Sequence, residues 1–233
     1  MDVLIIDQCS NSKSYPDNSI SYDAVEIDES SLKSLRTRDG AASIPARKLY
    51  TGRQQGYVGE AVESLRAGGH TVDRYFISAG FGLVDENEEL PPYNVTFADM
   101  TATEIDSRAS LLQIPEQTRE AVTSEAYDIV FFPLGSDYYR AVDIASVIFA
   151  LPTETIAVTF NQEDLATRSD NVVSVPARTE QAKEHGEIVV ALKGVYLKNF
   201  AENLAQNVTI TSLEDVTEAC LTQSTSQKDL SEF

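Results

Sequence analysis

Residues 3–7, Val-Leu-Ile-Ile-Asp, form a short apolar run with β-branched side chains, which predicts a buried strand. A polar stretch with Pro16 follows over 8–23 and reads as loop. Residues 30–38 suit a short helix. Residues 54–67 place Tyr57, Val58, Ala61, Val62 and Leu65 at helical spacing, closed by Gly68-Gly69. Residues 72–78 read as a second strand and 79–96 as a long loop with Gly80, Gly82 and Pro91-Pro92. Helices follow over 101–112, opened by a Thr101-Ala-Thr-Glu104 capping box, and over 115–124. Residues 127–133 are a third, very apolar strand, 136–150 a helix, 155–160 a fourth strand and 172–175 a fifth. The strongest helical pattern covers 186–206, where Ile188, Val189, Leu192, Val195, Tyr196, Phe200 and Leu204 make one apolar stripe. A last helix is expected over 214–222.

Strands alternating with helices predict an α/β fold, a mostly parallel sheet with helices on both faces and a C-terminal helical extension. The expected division is a core domain over 1–175, the extension over 176–222 and a flexible tail over 223–233. The 186–206 helix is free to cap the sheet or to pair with a second copy as a homodimer. Ligands of such sheets bind beyond the carboxyl ends of the strands. That rule selects the segments after Asp7, after Ile77 and after Phe132.

Composition narrows the class. The chain has 233 residues, enough for one large domain, and 42% of them are hydrophobic, enough for a real core. No apolar run approaches the roughly 20 residues of a membrane span, and the first residues lack the basic flank of a leader peptide, so a cytoplasmic location is expected. Two cysteines and two histidines, far apart, argue against a disulfide framework and a zinc centre; no metal or cofactor is expected.

The net charge of -19 argues against broad, non-specific nucleic-acid binding. Seven lysines against eleven arginines, no tryptophan, and acidic loops also match a surface adapted to high salt. The charge is unevenly spread: -2 over residues 1–80, -13 over 81–175 and -4 over 176–233. Cations of the first third, Lys13, Arg36, Arg38, Arg47, Lys48 and Arg53 among them, either pair with neighbouring acids or spare an anion site from surface acidification.

Three turns carry candidate chemistry. Gln8-Cys9-Ser10-Asn11-Ser12-Lys13 can aim backbone N–H groups and a lysine at an anion, and Lys13 near Cys9 favours a thiolate. Cys9 fits a small buried hydrophobe equally well. Ile77-Ser78-Ala79-Gly80-Phe81-Gly82 allows close backbone approach without being a dinucleotide fingerprint, and no histidine stands ready to activate Ser78. Gly135-Ser136-Asp137-Tyr138 opens a helix, and Tyr138 suits stacking on a planar ring or filling core. Tyr50 and Tyr93 suit hydrogen bonding to a ligand or core packing.

In order along the chain, Cys9-Ser10-x-x-Lys13, Ala46-x-x-Leu49-Tyr50-x-Gly52, Ile77-Ser78-Ala79-x-x-Gly82-Leu83, Pro92-Tyr93 and Gly135-x-x-Tyr138-Tyr139 resemble an uncharacterised family related to the YaaA peroxide-stress proteins. Cys9-Ser10-x-x-Lys13-x-Tyr15 also resembles the Cys-Ser-x-x-Lys-Pro-Tyr motif of the archaeosine synthase core, with Ser14 in place of the proline. The resemblance covers residues 1–145; beyond it only Lys193-Gly194 matches. It implies an α/β core whose loops make one pocket for a nucleobase, nucleotide or nucleic acid. The expected chemistry is an enzyme's, on modified, 7-deazaguanine-like bases or an N-glycosidic bond. Cys9, Lys13 and Ser78 are then the catalytic candidates. Ser10, Asn11, Tyr50, Gly80, Gly82, Tyr93, Gly135 and Tyr138 are the substrate-binding ones. A non-catalytic nucleic-acid-binding stress or defence protein is the alternative.

Overall fold

The computed structural model describes residues 1–223, so the expected tail lies, after Gln223, outside the described residues. The first strand, β1 (Asp2–Gln8), is followed by two short capped helices, α1 (Ala24–Asp28) and α2 (Leu32–Arg36), then β2 (Ile44–Pro45) and α3 (Ala46–Leu49). Helix α4 (Arg53–Ala67) leads to β3 (Thr71–Ser78), β4 (Gly82–Asp85) and β5 (Glu89–Leu90). Helices α5 (Ala102–Leu111) and α6 (Ile114–Ser124) precede β6 (Ile129–Phe131), α7 (Ser136–Ala141), α8 (Ile144–Ala150) and β7 (Ile156–Phe160). Then come α9 (Glu163–Arg168), β8 (Val172–Val175), α10 (Thr179–Glu184), α11 (Val189–Ala205) and α12 (Leu213–Leu221).

The main sheet runs β4-β3-β1-β6-β7-β8, with β4 antiparallel to β3 and every other pair parallel. The chain is thus an α/β fold with a mostly parallel sheet. Strand alternation sends Val3 and Ile5 to one face, where they join a core with α4, α11 and α12. Leu4 and Ile6 face the opposite core, built with α5, α6, α7 and α8. The C-terminal helices therefore complete one face of the sheet.

Helix α11 is buried on more sides than its stripe requires, with Lys193, Asn199 and Asn203 also enclosed. Asn199 and Asn203 donate to carbonyls at the end of α12, satisfying groups a helix terminus leaves open. Gly194 lets α11 approach α4 closely: a β-carbon there would fall 2.7 Å from Gln54 O. Helices α4 and α12 pack along α11, and Ile188 and Val190 stay exposed at its start.

Three local expectations differ. The helix over 136–150 is two helices, because Asp143 takes a left-handed conformation (φ 49°) that interrupts the ladder. The loop over 79–96 contains β4 and β5: Ser78 Oγ accepts the N–H groups of Gly80 and Phe81 and turns the chain back on β3. Helices α1, α9 and α10 are one or two turns long, too short to display an apolar period. Among the described residues no helix is long and apolar enough to cross a membrane.

Candidate functional site

Strand β1 lies between β3 and β6, so the chain first goes to one side of β1 to form β3 and then crosses to its other side to form β6. Such a switch opens a crevice at the carboxyl ends of the central strands. A cleft of about 440 Å³ lies there. The turn after β1 supplies Gln8, Cys9, Ser10, Asn11 and Ser12; the turn into α7 supplies Gly135, Ser136, Asp137 and Tyr138. The start of α4 contributes Gly52 to Gln55, the segment before α5 contributes Thr96 and Ala98, and the start of α11 contributes Ile188 and Val190.

Cys9 extends the β1–β3 pairing through its N–H to Ile77 O at 3.0 Å, which fixes its thiol at the cleft. Its Sγ lies 3.1 Å from Tyr138 Oη, and that hydroxyl also donates to Cys9 O at 3.2 Å. Phe97 holds the Tyr138 ring edge-on at 5.3 Å. Burial, reinforced by the neighbouring Cys9 sulfur, pushes the Tyr138 phenol far above its usual range, so it stays a neutral donor. Ser10 Oγ donates to Ser12 O and accepts Gly52 N–H, tying the turn to α4. Asn11 Oδ1 accepts the Thr96 hydroxyl.

Behind Cys9 lies a chain of buried hydroxyls. Tyr50 Oη and Tyr93 Oη are 2.7 Å apart, and Ser78 Oγ is 2.9 Å from Tyr93 Oη. Burial first, and the Cys9 sulfur second, raise both phenols well above their usual values. Lys13 bridges to Tyr50 along the backbone and sets its ammonium 4.4 Å from the centre of the Tyr93 ring. Burial lowers the Lys13 pKa, with the Cys9 sulfur opposing.

On the α4 side the floor is charged. Asp7 is wholly buried; its Oδ2 accepts Arg74 Nη2 at 2.6 Å, and its Oδ1 accepts Gln8 N and Gln54 Nε2. Lys193 lies within electrostatic reach of Asp7, and burial lowers its pKa despite that attraction.

No family model matches the chain, and no curated protein matches it. The site therefore stands on its own geometry.

Cys9, Ser10, Asn11, Gly135 and Tyr138, expected from the sequence, meet at this one cleft. Lys13 sits beside Cys9, against Tyr93. Ser78, expected to be catalytic, lies behind the cleft at 0% exposure with its hydroxyl committed to Tyr93 and two backbone N–H groups, out of a substrate's reach. Tyr50 and Tyr93 are likewise buried and are not among the residues that line the cleft; they pack behind it. Gly80 serves Tyr93: a β-carbon there would fall 2.8 Å from that ring. Gly82 packs away from the cleft, against Leu112 and Gln117, in a conformation (φ 78°) that favours glycine.

Sequence reasoning missed Gln8, Gln54 and Gln55. Their signal was polarity out of place, two glutamines opening a helix that buries that turn and an acid ending an apolar strand. It also missed a second groove, of about 540 Å³, along the other side of α4. Arg47, Lys48, Arg66, Arg74 and Glu86 line it with Gly52, Gly56 and Gly59. Arg36, Arg38 and Arg53 pair with Glu88, Glu26 and Glu187, whereas Arg47 and Lys48 pair with no acid among the described residues.

Proposed function

We propose that the protein binds a nucleobase or nucleotide in the cleft after β1 and β6 and acts on the base or on its N-glycosidic bond, in nucleic-acid modification or defence. One observation carries this reading: at the switch point of a parallel sheet the Cys9 thiol meets a neutral phenol donor, Tyr138, from 129 residues away, with the Lys13 ammonium close behind. Cys9 is the nucleophile of the cleft and Tyr138 orients it. Lys13 provides positive charge behind the thiol. Ser78 acts at a distance, by holding Tyr93 and through it Lys13. The turns at 10–12 and 135–138 frame a planar ring of base size. A modified base of the 7-deazaguanine kind is the substrate class favoured by the resemblance of the Cys9-to-Lys13 turn.

Calorimetric titration of purine bases and nucleotides tests the reading. Cys9→Ser and Lys13→Ala are expected to weaken binding by about tenfold each while the fold is retained. Unchanged affinity in both variants would remove these residues from the site.

A second reading, a non-catalytic nucleic-acid-binding protein, is favoured by the α4 groove, where Arg47 and Lys48 pair with no acid among the described residues. It expects fluorescence anisotropy to detect DNA or RNA binding at molar salt. Arg47→Glu with Lys48→Glu must then abolish that signal.

A further inference from the structure

One residue lining the cleft, Gln54, carries a buried hydrogen-bond acceptor that no described residue satisfies. Gln54 is 1% exposed and lines the cleft. Its Nε2 donates to Asp7 Oδ1 at 2.9 Å and to Pro133 O at 2.7 Å. Both partners are acceptors, one a carboxylate in an ion pair with Arg74, so the amide has a single allowed orientation. Flipping it would turn its oxygen toward two other oxygens. Gln54 Oε1 is therefore the end of the amide left over, and it is buried with no hydrogen-bond partner among the described residues. A buried acceptor left open is costly, and such exceptions are rare in folded proteins.

Gln8 is fixed in the opposite sense. Its Oε1 accepts Gly135 N–H at 2.6 Å, so its Nε2 is the free end, and no hydrogen bond among the described residues occupies it. Gln8 also lines the cleft. The two amides are neighbours: Gln54 is anchored on Pro133 O and Gln8 on Gly135 N, while Gln8 N–H and Gln54 Nε2 share Asp7 Oδ1. Two residues that line the cleft thus keep one acceptor and one donor without a partner among the described residues.

We infer that Gln54 is the specificity-determining residue of the cleft, its Oε1 accepting a ring or amino N–H from the ligand while Gln8 Nε2 donates to the adjacent ring nitrogen or carbonyl. A nucleobase edge, with an N–H beside an acceptor, is the chemical class that completes this pair. The inference rests on the function proposed above and adds to it the edge by which the base is read. Asp7 and Arg74 are positioning residues here, since they hold Gln54 without reaching the ligand.

Titration calorimetry with guanosine, inosine, uridine and adenosine identifies the base the wild-type protein prefers. Its counterpart methylated on the reading nitrogen, 1-methylguanosine, 1-methylinosine, 3-methyluridine or N6,N6-dimethyladenosine, then removes the donor. Methylation is expected to weaken wild-type binding by about tenfold or more. In Gln54→Met the parent and methylated ligands are expected to bind alike. An equal methylation penalty in both proteins, or none in the wild type, overturns the inference while leaving base binding intact. No binding of any nucleoside by the wild type overturns the proposed function itself, and this inference with it. Should Gln54→Met fail to fold, the wild-type pair of titrations decides: equal affinity for parent and methylated ligand overturns the assignment.

Discussion

Two buried polar clusters flank the end of β1, and they are built on opposite electrostatic plans. On the α4 and α11 side, Asp7, Arg74, Gln54 and Lys193 form a charged cluster in which one carboxylate meets two cations. On the other side, Tyr50, Tyr93, Ser78, Tyr138 and Cys9 form a chain of neutral hydroxyls and a thiol, with one ammonium at its edge. The charged cluster is rigid because parting Asp7 from Arg74 strands a charge in a low-dielectric interior. The hydroxyl cluster is adaptable, because each O–H can rotate and exchange its role as donor and acceptor. The pairing gives the cleft a fixed floor and an adaptable wall behind Cys9.

The contrast can be broken most severely at Asp7. Asp7→Ala leaves Arg74 buried without its counter-ion and is expected to cost about 3–5 kcal/mol, read as a lower midpoint in chemical denaturation. A loss under 1 kcal/mol would mean that the charged cluster does not hold the floor.

Raising the pH attacks the other cluster. Tyr50, Tyr93 and Tyr138 have folded pKa values held above the unfolded value of about 10 by burial. Their stabilisation is fully present below pH 10 and is lost above it, because only the unfolded chain releases those protons. Each contributes a slope of about 1.4 kcal/mol per pH unit above 10. Denaturation midpoints measured from pH 8 to 11.5 should fall steeply past pH 10; a flat profile would show the phenols ionising in the folded state.

Tyr93→Phe removes one hydroxyl and keeps the ring under Lys13. It takes from Tyr50 Oη its 2.7 Å partner and leaves Ser78 Oγ only its two backbone N–H donors, and is expected to cost about 1–2 kcal/mol. Tyr93→Leu, which also removes the ring, should further weaken base binding through displacement of Lys13; equal binding by both variants would separate Lys13 from the wall behind it.

The smallest effect is expected at Lys193. Its folded pKa lies below the unfolded value of 10.5, so its burial opposes folding at neutral pH, and wild-type stability gains from it as the pH rises toward that value. Lys193→Met should be neutral or stabilising by up to about 1 kcal/mol at pH 7, with the gain shrinking at higher pH. A destabilised variant would place Lys193 in an ion pair that matters.

Local order along the chain was enough to set the α/β class. Apolar strands at 3–7, 72–78, 127–133 and 155–160, with amphipathic helices between them, require a sheet covered on both faces, and the turns beyond the strands follow from that. It was also enough to mark Cys9, Ser10, Asn11, Gly135 and Tyr138, since the sheet's geometry carries whatever follows β1 and β6 to one rim. What lay beyond local order depended on partners far away in sequence. Whether Ser78 faces a substrate or a tyrosine is decided by Tyr93. The open acceptor on Gln54 exists because Asp7 and Pro133, 47 and 79 residues away, jointly claim its amide nitrogen. Hydrophobic periodicity is a property of near neighbours and survives in the sequence. The direction of a hydrogen bond belongs to the pair that makes it, and only the folded chain brings that pair together.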